Sequence, residues 1–157
     1  MSERGIGAVV WNCGRTLCSL MHRLPECRDG RFAPGLRILE LGCGTGGVGL
    51  ACALRGASVT MTDLPENLNL ARANAEANKV SGVVVEPLAW GSPTTSTFDV
   101  VIGSDCLYDA EALPALLKTL IAVTHAKSVV YLAYKRRIDD RERPFFDEAS
   151  LSFKSVL

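Results

Sequence analysis

The chain has no surplus of charge of either sign: 17 lysines and arginines stand against 17 aspartates and glutamates. Nothing global therefore draws it to nucleic acid or to an anionic membrane surface. Long apolar runs are missing as well. None approaches the roughly eighteen residues that a membrane-crossing helix needs, so no membrane association is expected. The first residues show none of the charged, apolar and cleavage regions of a signal peptide. The six cysteines (Cys13, Cys18, Cys27, Cys43, Cys52, Cys106) form no C-x-x-C pair, and the only histidines, His22 and His125, are far apart in sequence. Neither a metal site of the usual ligand spacing nor a disulfide framework is expected. Reduced thiols in a protein of the cytoplasm or nucleus are the better reading.

What is present is an alternation. At 157 residues the chain is long enough for one domain with a real core. Residues 1–34 read as a helical lead-in, with 8–24 as one amphipathic helix, and residues 35–157 as a core of strands and helices. Strands are predicted at 36–41, 57–62, 83–88, 98–103 and 128–133, and helices at 48–54, from Pro65 to about Asn78, at 110–124 and at 139–149. A polar turn at 91–96 separates the third strand from the fourth. Apolar strands alternating with helices imply an α/β fold: a doubly wound, mostly parallel sheet covered on both faces. Residues 151–157 alternate like a further strand, which would be an exposed edge if unpaired.

The segment Leu39-Glu40-Leu41-Gly42-Cys43-Gly44-Thr45-Gly46-Gly47 carries the most information. An apolar strand ends in a glycine-dense turn, and a helix follows. Glycines accept positive φ and let a ligand approach closely, while a new helix offers its unpaired N–H groups. Gly42, Gly44 and Gly47 satisfy the dinucleotide pattern G-x-G-x-x-G. Glu40 argues against that ligand, because a carboxylate beside the turn would repel a pyrophosphate. S-adenosylmethionine has no phosphate and carries an ammonium and a sulfonium, which an acidic residue suits. The alternative is that Glu40 only caps a loop amide.

In an open α/β sheet, ligands lie beyond the carboxyl ends of the strands, where strand order reverses. Asp63 stands about twenty residues after Gly42, the spacing of a carboxylate that bonds ribose hydroxyls; alternatively it caps a helix ahead of Pro65. Trp90, just past the third strand, either packs on an adenine face or belongs to the core. Asp105 and Tyr108, preceded by Ser104, follow the fourth strand. An acid and a phenol so spaced can face one cavity, or can belong to a capped loop before the next helix.

Read together, Gly7-Ala8-Val9-Val10-Trp11-Asn12, the glycine segment, Thr62-Asp63, Leu88-Ala89-Trp90-Gly91 and Asp99 through Tyr108 resemble the seven-strand methyltransferases grouped as family 16. These are largely protein-lysine methyltransferases, and the resemblance is strongest to the branch that modifies valosin-containing protein and heat-shock chaperones. It implies a Rossmann-like class I methyltransferase fold, S-adenosyl-L-methionine as cofactor, and a protein substrate such as a chaperone or an ATPase. The resemblance assigns Trp11, which composition alone would put in the core, to the cofactor site. Glu40, the turn Gly42-Cys43-Gly44, Asp63, Trp90 and Ser104 join it there. Asp105 and Tyr108 form the family's D-x-x-Y pair, expected at the mouth of a lysine channel. The family fold closes with a β-hairpin against the fifth strand, and this sequence ends where that hairpin begins. A monomeric sheet truncated before the C-terminal hairpin is therefore expected.

The implied reaction is in-line displacement at a sulfonium methyl by a neutral lysine amine, which must first lose a proton. Asp105 would bind and orient the incoming amine, and Tyr108 would fix the lysine chain. Two other readings stand beside it. One is methylation of nucleic acid or a small molecule. The basic cluster Lys135-Arg136-Arg137, Arg141 and Arg143 is interleaved with Asp139, Asp140 and Glu142, however, as in a solvated helix start. The other is a truncated member that binds cofactor without catalysis.

Overall fold

The structure, a computed structural model, describes residues 9–136 and 142–154. Its first helix, α1 (Asn12–Leu20), buries Gly14 and Leu17, and a 3₁₀ turn at Met21–Arg23 then carries Met21 fully into the core. Pro25 disfavours a helical backbone at Leu24, which adopts ψ 140°. The helix expected over 8–24 therefore narrows to α1; residue 8 lies outside the described residues. A small antiparallel hairpin, β1 (Cys27–Arg28) with β2 (Arg31–Phe32), follows. The lead-in is thus not wholly helical. Asp29-Gly30, both at positive φ, is the turn signature that marks this hairpin in the sequence.

The main sheet consists of β3 (Arg37–Leu41), β4 (Ser58–Asp63), β5 (Val83–Pro87), β6 (Phe98–Ser104) and β7 (Thr124–Ala133), all parallel, in the order β5-β4-β3-β6-β7. Strand order reverses between β3 and β6. Successive side chains of the central strands point to opposite layers. Ile38, Val59, Met61, Val100 and Ile102 join one buried cluster, against α1, α2 (Gly47–Ala53) and α3 (Leu68–Ala77). Leu39, Leu41 and Val101 join the other, against α4 (Leu113–Val123) and α5 (Arg143–Ser152). Helix α4 shows why these segments fold as they do. Pro114 fits its first turn, where no helical N–H bond is lost. Leu113, Leu116, Leu117 and Leu120 are buried along one stripe, and full burial of each contributes about 1.5–3 kcal/mol.

Several boundaries differ from the sequence pattern. Strand β7 starts at Thr124, directly after α4, because Thr124 pairs with Phe98 and a bulge then resets the register at Val100–Val129. Helix α5 runs to Ser152, so Leu151 and Ser152 are helical and not strand; residues 139–141 and 155–157 lie outside the described residues. The sheet is also not covered on both faces throughout. The link from β5 to β6, residues 88–97, contains the expected polar turn but no helix. Val84 and Glu86 are therefore exposed, and a cleft of about 340 Å³ opens beside Thr62, Pro87 and Thr94. Among the described residues no helix is long and apolar enough to cross a membrane.

Candidate functional site

A cavity of about 390 Å³ opens at the carboxyl ends of β3, β4 and β6, beside the point where strand order reverses. All ten residues singled out in the sequence line it: Trp11, Glu40, Gly42, Cys43, Gly44, Asp63, Trp90, Ser104, Asp105 and Tyr108. The glycine loop is one wall. Gly42 takes φ 64°, and a Cβ there would sit 3.3 Å from Cys106 Sγ and 3.5 Å from Trp90 Cζ2, so any side chain would crowd the cavity lining. The loop is tightened by Gly46 N–H donating to the Cys43 carbonyl at 2.7 Å.

Glu40 projects from β3 beneath this loop and is 2% exposed. Its Oε2 accepts the N–H of Gly49 at 2.9 Å. The amide-capping alternative is thus realised on α2, and one N–H expected to face a ligand is consumed. Contact is close because Gly49 has no side chain; a Cβ would lie 2.5 Å from Oε2. Oε1 accepts no hydrogen bond from the described residues. Burial, reinforced by the negative charge of Asp63, pushes the Glu40 carboxyl up to about 8.

Asp63, at the end of β4, is held by three donors. Oδ2 accepts Gly44 N–H at 2.8 Å, and Oδ1 accepts Leu64 N–H and Asn67 Nδ2–H, each at 2.8 Å. The residue in the cap position of the turn Pro65–Asn67 is Leu64, so Asp63 is not its N-cap. It fastens the glycine loop to β4 instead.

Beyond β6, Asp105 adopts φ 56°, a left-handed conformation that few non-glycine residues adopt and that asparagine and aspartate tolerate better than most. Its N–H donates to the Ala133 carbonyl at 2.7 Å. Cys106 donates from Sγ to the Leu41 carbonyl at 3.3 Å, and burial pushes its thiol up to about 12. Burial also raises the Cys43 thiol, so both stay protonated and weakly nucleophilic. Tyr108 stands at the mouth, 53% exposed; partial burial and the nearby Asp109, Cys106 and Asp63 raise its phenol. Among the described residues no cluster could hold a metal ion.

Known proteins show which family the chain belongs to. The chain matches the lysine methyltransferase family over residues 1–152. It belongs to that family. Protein N-lysine methyltransferase METTL21A of Xenopus tropicalis is 33% identical over 157 residues, covering 96% of this chain and 70% of the relative. EEF1A lysine methyltransferase 3 of Mus musculus is 35% identical over 150 residues, covering 92% of this chain and 62% of the relative. The chain thus spans about two thirds of these relatives' lengths. Among solved structures, ribosomal protein L11 methylase from Lactobacillus delbrueckii subsp. bulgaricus superposes with a TM-score of 0.67 at 21% identity, covering 92% of this chain and 69% of that one. The likeness confirms a Rossmann-like methyltransferase fold.

In this lysine methyltransferase chain, sequence reasoning passed over the residues that brace the cavity from behind. Asn74 on α3 donates from Nδ2 to the Thr45 carbonyl at 2.8 Å. Thr119 on α4 accepts Gly91 N–H at 2.7 Å and donates to the Ala115 carbonyl at 3.0 Å, fixing the turn after Trp90. Asn67 orients Asp63. No local pattern in the sequence marks these residues. His125 lies elsewhere, 3.4 Å from Asp99. Of the basic cluster, Lys135 and Arg136 are exposed, and Arg137 and Arg141 lie outside the described residues.

Proposed function

We propose that the protein transfers methyl groups from S-adenosylmethionine to a lysine side chain of a protein substrate. The observation that carries this reading is the meeting, in one cavity, of the glycine loop with its buried Glu40 and of the Asp105–Tyr108 pair. The residues present fit the cofactor. Glu40 lines the cavity with an Oε1 that accepts no hydrogen bond from the described residues, which suits an ammonium, and the glycine loop leaves room where side chains would fill the cavity. Trp11, Glu40, Gly42, Cys43, Gly44, Asp63, Trp90 and Ser104 would hold it. Asp63 would accept the ribose hydroxyls with a carboxylate already oriented by its three donors, and Trp90 would pack against the adenine. When bound, this cofactor supplies an electrophilic methyl on a positive sulfur.

The chain's own residues then handle the lysine. A lysine ammonium must lose a proton before its nitrogen can attack. Asp105, half-buried on the cavity wall, would draw the ammonium in and orient the amine once it is neutral. Tyr108, exposed at the mouth, would hold the aliphatic chain against its ring and favour the cation as it enters. Holding the amine in line supplies most of the acceleration.

The partner proposed is a protein: a chaperone, an ATPase, or a translation factor of the kind named for one relative. The setting proposed is the cytoplasm or nucleus, in keeping with six free cysteines, and the working form a monomer. Incubation with labelled S-adenosylmethionine and a cell extract tests the reading. A labelled protein band whose label resides on lysine supports it. Label appearing on RNA, or no thermal stabilisation by S-adenosylhomocysteine, overturns it.

A further inference from the structure

Of the carboxylates that line the cavity, Glu40 alone is shut away from solvent; Asp63 and Asp105 are half-buried and Asp109 is exposed. Oε2 accepts the Gly49 N–H, and Oε1 accepts no hydrogen bond from the described residues. The side chain has little freedom to turn away, because α2 rests against it through Gly49 and Met61 closes the same point. Its titratable neighbours come from every side: Asp63 from β4, Cys18 from α1, Cys52 from α2, Cys43 from the glycine loop and Cys106 from the segment after β6. Arg55 bears on Cys18 and Cys52. Among the described residues, one carboxylate and four raised thiols offer Glu40 no positive partner. An ionised carboxylate so enclosed is costly until a cation reaches it.

We propose that the cavity receives its cationic cofactor and ionises Glu40 in a single event, one proton leaving to solvent as the cofactor's ammonium reaches Oε1. The inference rests on the S-adenosylmethionine reading above. The balance is simple. The O–H bond of the Glu40 acid breaks, its proton passes to buffer, and a hydrogen bond from the still-charged ammonium replaces it. Glu40 is then a proton-linked ligand, and not the standing negative charge that its place in the sequence implied. At neutral pH the free protein mostly holds the proton, since burial pushes this carboxyl up to about 8. Affinity must then rise with pH, by roughly tenfold per unit below that point, and level off above it.

Titration calorimetry with S-adenosylhomocysteine at pH 7, in buffers of different ionisation enthalpy, reads the proton directly. This probe keeps the ammonium and lacks the sulfonium, and its ammonium is charged both free and bound at that pH. The expected result is close to one proton released per molecule bound, with Kd tightening about tenfold from pH 6 to pH 7 and flattening beyond about pH 8.5. Glu40→Gln should bind more weakly, release no proton and show a flat pH profile. Binding with no net proton release by the unaltered protein overturns the proposal while leaving the cofactor reading intact. Release that persists in Glu40→Gln overturns the assignment to Glu40. Absence of binding at every pH from 6 to 9 overturns the cofactor reading and the proposal with it. The unaltered protein carries the decisive measurement, so the test stands even where the variant folds poorly.

Discussion

The two ends of the parallel sheet handle charge in opposite ways. At the amino ends of β3 and β6, Asp99 accepts the Arg37 N–H at 2.9 Å and faces His125 Nε2 at 3.4 Å, while the Arg37 guanidinium lies 5.0 Å from the Phe98 ring centre. These groups are more than one third exposed in the His125–Asp99 pair, so water screens them and little energy is at stake. At the carboxyl ends, Glu40 and Asp63 are held by N–H groups of the backbone and of Asn67, with no cationic side chain among the described residues bonded to them. Such dipoles orient the two acids without supplying a counter-charge. The acid of the amino end faces the chain's own side chains in reach of water; the acids of the carboxyl end leave the place of a cation to a ligand.

Substitution at each end should break that contrast to a graded extent. The largest effect is expected for Asp105→Asn, which should retain cofactor binding but lower methyl transfer by about 100-fold or more, the scale of a lost charge-orienting group. Unchanged turnover in a radiolabel assay would remove Asp105 from the lysine site. Next, Asp63→Ala should weaken S-adenosylhomocysteine binding by about 10–100-fold, since it removes a charged acceptor and frees the glycine loop from β4. An unchanged Kd by calorimetry would take Asp63 out of the ribose site.

A smaller and more diagnostic effect concerns pH. Glu40 has a folded-state value of about 8, above the value near 4.3 of an unfolded chain. The folded state therefore binds more protons between those limits. Its contribution is fully present below about pH 4.3 and is lost as pH rises through 8, by at most about 1.4 kcal/mol per unit. Chemical denaturation of the cofactor-free protein should show this fall between pH 5 and 8, and Glu40→Gln should flatten it. The smallest effect belongs to the amino end. Asp99→Asn keeps an acceptor for Arg37 N–H and should change stability by less than about 0.5 kcal/mol, with cofactor affinity untouched. A large loss of affinity there would show that the two ends are coupled.

Much of this was visible in the residues themselves, for a physical reason. Glycines, strand-end carboxylates and a tryptophan after a strand are marked by local pattern, and parallel pairing then gathers strand ends into one place. Leu41, Asp63 and Ser104 come together because β4 and β6 both flank β3. What could not be read was set by pairing across distance. Asn74 reaches Thr45, and Thr119 reaches Gly91, through bonds between helices and loops with no shared local pattern. The polar stretch Thr124-His125-Ala126-Lys127 does not alternate, yet pairing of Thr124 with Phe98 recruits it into β7. The uncovered half of the second face was in plain view as the polar turn at 91–96; the general rule that parallel sheets are covered twice overrode it.

The chain contains two tryptophans, Trp11 and Trp90, and both stand on the wall of the same cavity. Indole emission, excited at the red edge where tyrosine is silent, is thus an optical reading of the cavity and of nothing else in the molecule. Trp11, from the chain preceding α1, and Trp90, from the link after β5, view it from two separate elements. Trp11→Phe and Trp90→Phe would divide the signal between them, so that each wall can be watched alone as a ligand enters.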